Sequence, residues 1–250
     1  MKSCLLLLSI VVVQSVLAQE ALLQFEQANQ LYRNGDFQQA AVRYEQVVKN
    51  GYEGPALFYN LGNAYFKLKN IPVAIVNYER AKLLAPHDED ISYNLRLANL
   101  RVVDKIEPIP QLFFIEWWRA FINIFSSGAW ARTAIGALWC AALNGTIFLM
   151  IKSAAFRRVI FLFGIVCLLL CVLSWVAIIQ QYHHERDDQM AIILSPSVSV
   201  KSSPDAQSTD LFVLHEGVKV DILDAVGEWK KIRLADGKIG WMPADSLQVI

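Results

Sequence analysis

The sequence carries no net charge, since 23 Lys and Arg stand against 23 Asp and Glu. A chain built to hold nucleic acid shows a basic excess, so that class of partner is excluded on composition. Charged residues make up only 18% of the chain against 55% apolar, too apolar for disorder and high for a soluble globule. Cysteine is scarce too. Cys4 lies near the N-terminus, and Cys140, Cys167 and Cys171 lie inside long uncharged runs, where they read as small packing side chains. No cysteine is left for the water-facing parts, which excludes a disulfide framework there. Gly-rich phosphate loops, a Ser-His-Asp order within one module and a paired-carboxylate cleft are also missing. No catalytic residue, cofactor or metal is therefore assigned.

The zero charge is a sum of unlike pieces. Residues 1–19 carry Lys2 alone, and residues 20–109 carry 10 basic and 11 acidic side chains. Residues 110–182 hold five basic and one acidic, and residues 183–250 hold seven basic and eleven acidic. The first piece has the order of a secretory signal peptide over 1–18: Lys2, an apolar run from Leu5 to Val13 broken only by Ser9, then Val16-Leu17-Ala18 before Gln19. Cys4 precedes the apolar run, so no lipid anchor is expected.

Between Arg132 and Lys152 nineteen residues carry no charge, and from Val159 to Tyr182 another twenty-four carry none. At ~1.5 Å per helical residue each covers the ~30 Å hydrocarbon layer, which predicts membrane helices over 133–151 and 159–180. The joining segment 152–158 holds Lys152, Arg157 and Arg158 and no acid, so the positive-inside bias puts it in the cytoplasm and both flanking domains outside, in the periplasm of a bacterial inner membrane. Upstream, 107–131 contains Phe113, Phe114, Trp117, Trp118, Arg119, Phe121 and Phe125 and reads as an interfacial aromatic belt. A third span is the competing reading, made costly by Glu116 and Arg119.

The segment 20–106 repeats with a period of 34. Setting 21–54 over 55–88 pairs Ala28 with Gly62, Ala40 with Ala74, Tyr44 with Tyr78 and Val47 with Ala81. Phe58, Leu61, Gly62, Tyr65, Ala74, Tyr78, Ala81 and Pro86 resemble the tetratricopeptide repeat residue for residue. The resemblance implies an all-α solenoid. Small residues let its helices approach, and a helix over 89–105, started by Pro86 and carrying Ile91, Leu95, Ala98 and Val102, caps it. It further implies a peptide-binding groove lined by Phe25, Asn29, Tyr32, Tyr59, Asn63, Phe66 and Lys67. Packing within the solenoid is the competing role for the aromatics. The family's cationic clamp for a C-terminal carboxylate is not expected: Asn29 and Asn60 sit at its asparagine positions, but Phe25, Asp90 and Asn94 replace its cations.

From Met190 the apolar rhythm changes to period two, with Val198 and Val200, then Val218, Val220 and Ile222, then Ile232 and Leu234 ahead of a tight Asp236-Gly237 turn. The order Leu214-His215-Glu216-Gly217, Gly227-Glu228-Trp229, Ile239-Gly240-Trp241 and Ala244-Asp245-Ser246-Leu247 resembles the bacterial SH3-like barrel over 190–250. Trp229 and Trp241 are expected to supply much of its core or else to line its ligand surface. His183-His184-Glu185 with Asp187 and Asp188 reads as a solvated linker rather than a metal site, since no rigid element fixes it.

The whole is therefore a multidomain membrane protein: a tetratricopeptide solenoid, two transmembrane helices and a C-terminal all-β SH3-like barrel. With the stretches from Asp90 to Asn99 and from Asp104 to Pro108, and Trp117-Trp118, it resembles the BatE-type family of the Bacteroides aerotolerance operon. That resemblance implies a scaffold working with von Willebrand factor A-type membrane proteins and an AAA-type ATPase, in aerotolerance or envelope-stress physiology. Peptidoglycan peptides are the alternative ligand class for the barrel.

Overall fold

The structure is a computed structural model describing residues 19–110, 112–187 and 189–250, with side chains omitted for 182–187. The signal segment 1–18 and Asp188 thus lie outside the described positions, as do the side chains of His183, His184, Glu185 and Asp187, whose backbone continues a helix where a linker was expected. The chain divides into two compact units, one formed by the residues up to Pro108 with Gln189–Ile250, the other by Ile109–Asp188.

In the first unit, α1 (residues 19–33), α2 (Phe37–Lys49), α3 (Pro55–Lys67), α4 (Ile71–Leu84) and α5 (Glu89–Asn99) form two helix–turn–helix repeats and a capping helix. Local chemistry sets their boundaries. Gly35 turns the chain with φ +85°, the Asp36 and Asn70 side chains cap α2 and α4, and Pro55 opens α3. The 34-residue period survives as packing: Ala28, Ala40 and Ala74 are wholly enclosed, and Tyr44 and Tyr78 fill the space between helices. At Gly62 an added Cβ would lie 2.7 Å from the Tyr78 ring, so only glycine fits there.

The capping helix starts at the expected residue and is shorter than expected, and Pro86 does not start it. It begins at Glu89, with the Asp88 carboxylate accepting from the Asp90 and Ile91 amides, while Pro86 stays in the preceding turn. It ends at Asn99. Val102 is buried all the same, for a reason outside the solenoid.

That reason is the C-terminal sheet. Strands β1 (Gln189–Ile193), β2 (Ser197–Lys201), β3 (Asp210–His215), β4 (Lys219–Val226), β5 (Trp229–Arg233), β6 (Ile239–Pro243) and β7 (Leu247–Val249) are antiparallel in the order β3-β2-β6-β5-β4-β1-β7. Ile192, Ile193, Val200, Val220, Ile232 and Met242 fill its interior, continuous with Ile75, Val76, Leu95 and Val102 of the solenoid. Gly217, with φ +88°, presents bare backbone at this seam, where a Cβ would come 2.8 Å from Val102 and 3.4 Å from Ile75. Polar side chains of the solenoid also serve the sheet. Glu79 pairs with Lys219 at 2.8 Å, the Arg80 guanidinium donates to the Val249 carbonyl of edge strand β7, and the Asp104 carboxylate accepts from the His215 amide of edge strand β3. The solenoid so satisfies backbone groups on both sheet edges.

The expectation that two tryptophans build the barrel core is corrected. Trp229 and Trp241 are only half-buried. Gly240 and Met242 occupy the inward positions of β6, so alternation turns Trp241 outward.

The second unit comprises α6 (Phe113–Ile122), α7 (Ser127–Met150) and α8 (Ala154–Asp187). Ser127–Met150 and Ala154–Gln181 are long and apolar enough to cross a membrane. Residues 127–131 belong to α7, capped by Ser126, and Phe156, Arg157 and Arg158 lie in the first turns of α8, which shortens the joining loop to 151–153. Arg157 sits over the Phe148 ring at 4.7 Å, tying the hairpin end together. The ten residues of α6 rise only ~15 Å, half a bilayer core, which removes the third-span reading. Its last carbonyl is claimed by neighbours, since Trp130 and Gln181 donate to the Ile122 oxygen at 2.8 and 2.7 Å, and its Trp118 ring N–H donates to the Gln180 carboxamide. Phe113, Phe114 and Trp117 remain exposed.

Candidate functional site

The inner helices α1, α3 and α5 carry asparagines at the repeat period, and these form a ladder. Asn29 Oδ1 accepts from the Tyr44 hydroxyl at 2.6 Å and from Asn60 Nδ2 at 3.0 Å. One repeat later Asn63 Oδ1 accepts from the Tyr78 hydroxyl at 2.7 Å and from Asn94 Nδ2 at 3.2 Å, and Asn94 also donates to Tyr59 at 2.7 Å. The two rungs are the same construction displaced by 34 residues. Burial pushes the Tyr44 hydroxyl up to about 12 and raises Tyr78 as well, so both remain neutral donors at any physiological pH. Each carboxamide is thereby held with its oxygen toward the tyrosine and its N–H groups free of it.

The seven residues expected to line a groove divide by their surroundings. Asn29, Tyr59 and Asn63 belong to the ladder. Phe25 packs against the Tyr44 ring at 5.8 Å, Tyr32 meets Phe37 edge-on at 5.1 Å, and Phe66 leans on the core, so these three act mainly as solenoid packing. Lys67 is exposed. In the sequence Tyr44 and Tyr78 stand out only as a pair matched by the repeat, and Asn60 and Asn94 only as clamp positions. Their exact 34-residue spacing was the available signal for a joint role.

On the sheet, Trp241 stands opposite Lys231 of β5 and Lys201 of β2, with the Lys231 ammonium 5.9 Å from its ring, and Trp229 stands opposite Pro243. Lys201 is held by Asp210 at 2.8 Å. Cations beside an outward tryptophan make a surface able to take an apolar or anionic group. A cleft of about 480 Å³ lies between residues 104–107 and the sheet, lined by Phe212, Leu214 and Leu234 with Lys105, Asp236 and Lys238 at its rim. Among the described residues no three His, Cys, Asp or Glu side chains converge as metal ligands.

The tetratricopeptide repeat family matches residues 25–89, and the bacterial SH3 domain family matches residues 196–248. Over 67 residues the chain is 40% identical to BBSome complex member BBS4 of Bos taurus, and equally to the Mus musculus protein. That stretch is 27% of this chain and 13% of those proteins, so the chain matches only a small part of the length of these relatives. Both matched folds are interaction domains without catalytic function, carried here on a chain with two apolar helices compatible with membrane insertion.

Proposed function

We propose that the chain is a non-enzymatic scaffold of a bacterial inner membrane that gathers protein partners through the solenoid groove and the outer face of the sheet. The asparagine ladder carries this reading. A peptide backbone offers one C=O per residue, and carboxamide N–H groups held at regular spacing can answer such carbonyls irrespective of side-chain sequence. Lys67 and the exposed rim then supply selectivity.

The shared core of solenoid and sheet supports the proposed topology. The chain leaves this unit at Pro108 and re-enters it at Gln189. This supports placing both flanks on one side of a membrane, which an even number of crossings satisfies. Lys152, Arg157 and Arg158 at the hairpin end favour the cytoplasm for that end and the periplasm for the flanks. Resemblance to the BatE-type family adds von Willebrand factor A-type membrane proteins and an AAA-type ATPase as candidate partners, and aerotolerance or envelope stress as the setting.

Co-purification from detergent-solubilised membranes tests the groove. The Asn63→Ala, Lys67→Glu variant should lose partners that the parent chain retains, and identical partner sets would sink the groove's role. The outward Trp241 favours one second reading, a barrel that holds cell-wall peptides. Purified sacculi should then sediment the full chain and fail to sediment Trp241→Ala.

A further inference from the structure

Between α7 and α8 runs an apolar trough of about 500 Å³, walled by Leu138, Ala142 and Gly145 on one helix and Phe161, Ile165 and Leu168 on the other. Its lining also includes Asn144 and Gly164, packed so closely that a Cβ on Gly164 would meet Asn144 Oδ1 at 3.0 Å. Asn144 lies well inside the uncharged run 133–151. Thr133, Thr146 and Ser174, the hydroxyl side chains within the apolar stretches of these helices, each turn back to a carbonyl of their own helix at 3.0, 2.7 and 2.8 Å. Asn144 does not: among the described residues its carboxamide makes no hydrogen bond.

An unanswered amide at hydrocarbon depth is costly, and side chains as small as Ala142 and Gly145 beside it let another helix approach closely. We propose that a second copy of this chain docks along this trough, with the two Asn144 carboxamides hydrogen-bonded to each other across a two-fold axis. A carboxamide is donor and acceptor at once, so it is its own complement, and an isologous interface brings like residues together. A second copy necessarily carries such a group at the matching depth. The inference rests on the reading of α7 and α8 as membrane spans.

The test uses the full chain in its native membrane with Cys4, Cys140, Cys167 and Cys171 changed to Ala and Ala142→Cys introduced. Copper-phenanthroline oxidation should give a disulfide-linked homodimer. Adding Asn144→Leu should lower its yield about five-fold or more, the loss expected of one interhelical amide bond, whereas Asn144→Gln should retain most of it. Absence of the homodimer, equal yield in the Leu variant, or a dominant crosslink to a different protein would overturn the proposal. Alkaline carbonate extraction separates the two layers of inference. A chain released from the membrane overturns the spanning reading and this proposal with it, and a chain retained but not crosslinked overturns this proposal alone.

Discussion

Replacing Gly217 with alanine strikes the seam between solenoid and sheet with a single methyl group. The backbone there has φ +88°, which costs a residue with a side chain roughly 1–2 kcal/mol. The new Cβ would also press on Val102 at 2.8 Å and touch Ile75 at 3.4 Å, an overpacking of roughly 1–3 kcal/mol. Gly217→Ala should therefore destabilise the unit by about 2–5 kcal/mol. Val102→Ala alone removes buried methyls and should cost roughly 1–2 kcal/mol. In the double variant the missing methyls make room for the new one, so the steric part is relieved while the backbone part stays. The combined loss should fall short of the sum by about 1 kcal/mol or more, beyond the ~0.5 kcal/mol scatter of independent sites. Hydrogen exchange of the detergent-solubilised full chain provides the assay, read on peptides from α4, α5 and β4. Each single variant should loosen all three elements together. Additive losses, or loosening confined to β4, would refute the shared core.

Tyr44 supplies a prediction in pH. Its folded value is raised above the ordinary 10.0 to about 12, so its stabilisation is complete below pH 10 and fades as pH climbs from 10 toward 12. About 2 kcal/mol should be lost over that interval, and Tyr44→Phe should abolish its share, whereas tyrosinate absorbance rising at the ordinary value in the folded chain would contradict the burial argument. Gly62→Ala should cost roughly 1–3 kcal/mol despite alanine's better helix propensity, because the methyl meets the Tyr78 ring at 2.7 Å. Melting temperature reads this, and an unchanged or raised value would count against the packing. For topology, a reporter fused after Ala155 should signal cytoplasm and one after Ile250 periplasm, with the reverse pattern refuting the orientation.

The solenoid was legible because 34-residue periodicity in small and aromatic residues is a direct image of helix packing. Its junction with the sheet was not. Ile75 and Val76 align with Ala41 and Val42, and extra apolar character on α4 reads as solenoid core when the surface covering it lies more than a hundred residues away in sequence. Val102 misled for the same reason: it continues the spacing of Ile91, Leu95 and Ala98, yet it is buried against Gly217 after the helix has ended. The tryptophans were decipherable. With Ile232 inward, strand parity places Trp229 three residues earlier on the opposite face, against the general preference of tryptophan for the core. Pairs such as Glu79 with Lys219 and Asp104 with His215 leave no trace in local sequence. The ladder lay between these cases, its asparagines visible at their period and its tyrosine donors hidden in a packing role.

The central claim is that the solenoid groove holds a protein partner in the cell. A photoreactive amino acid at position 67, beside the ladder, measures this most directly when compared with one at Val42, exposed on α2. In intact cells position 67 should give discrete crosslinked protein species that position 42 does not, and Asn63→Ala should weaken them. Equal crosslinking from both positions, or none from position 67, would contradict the account.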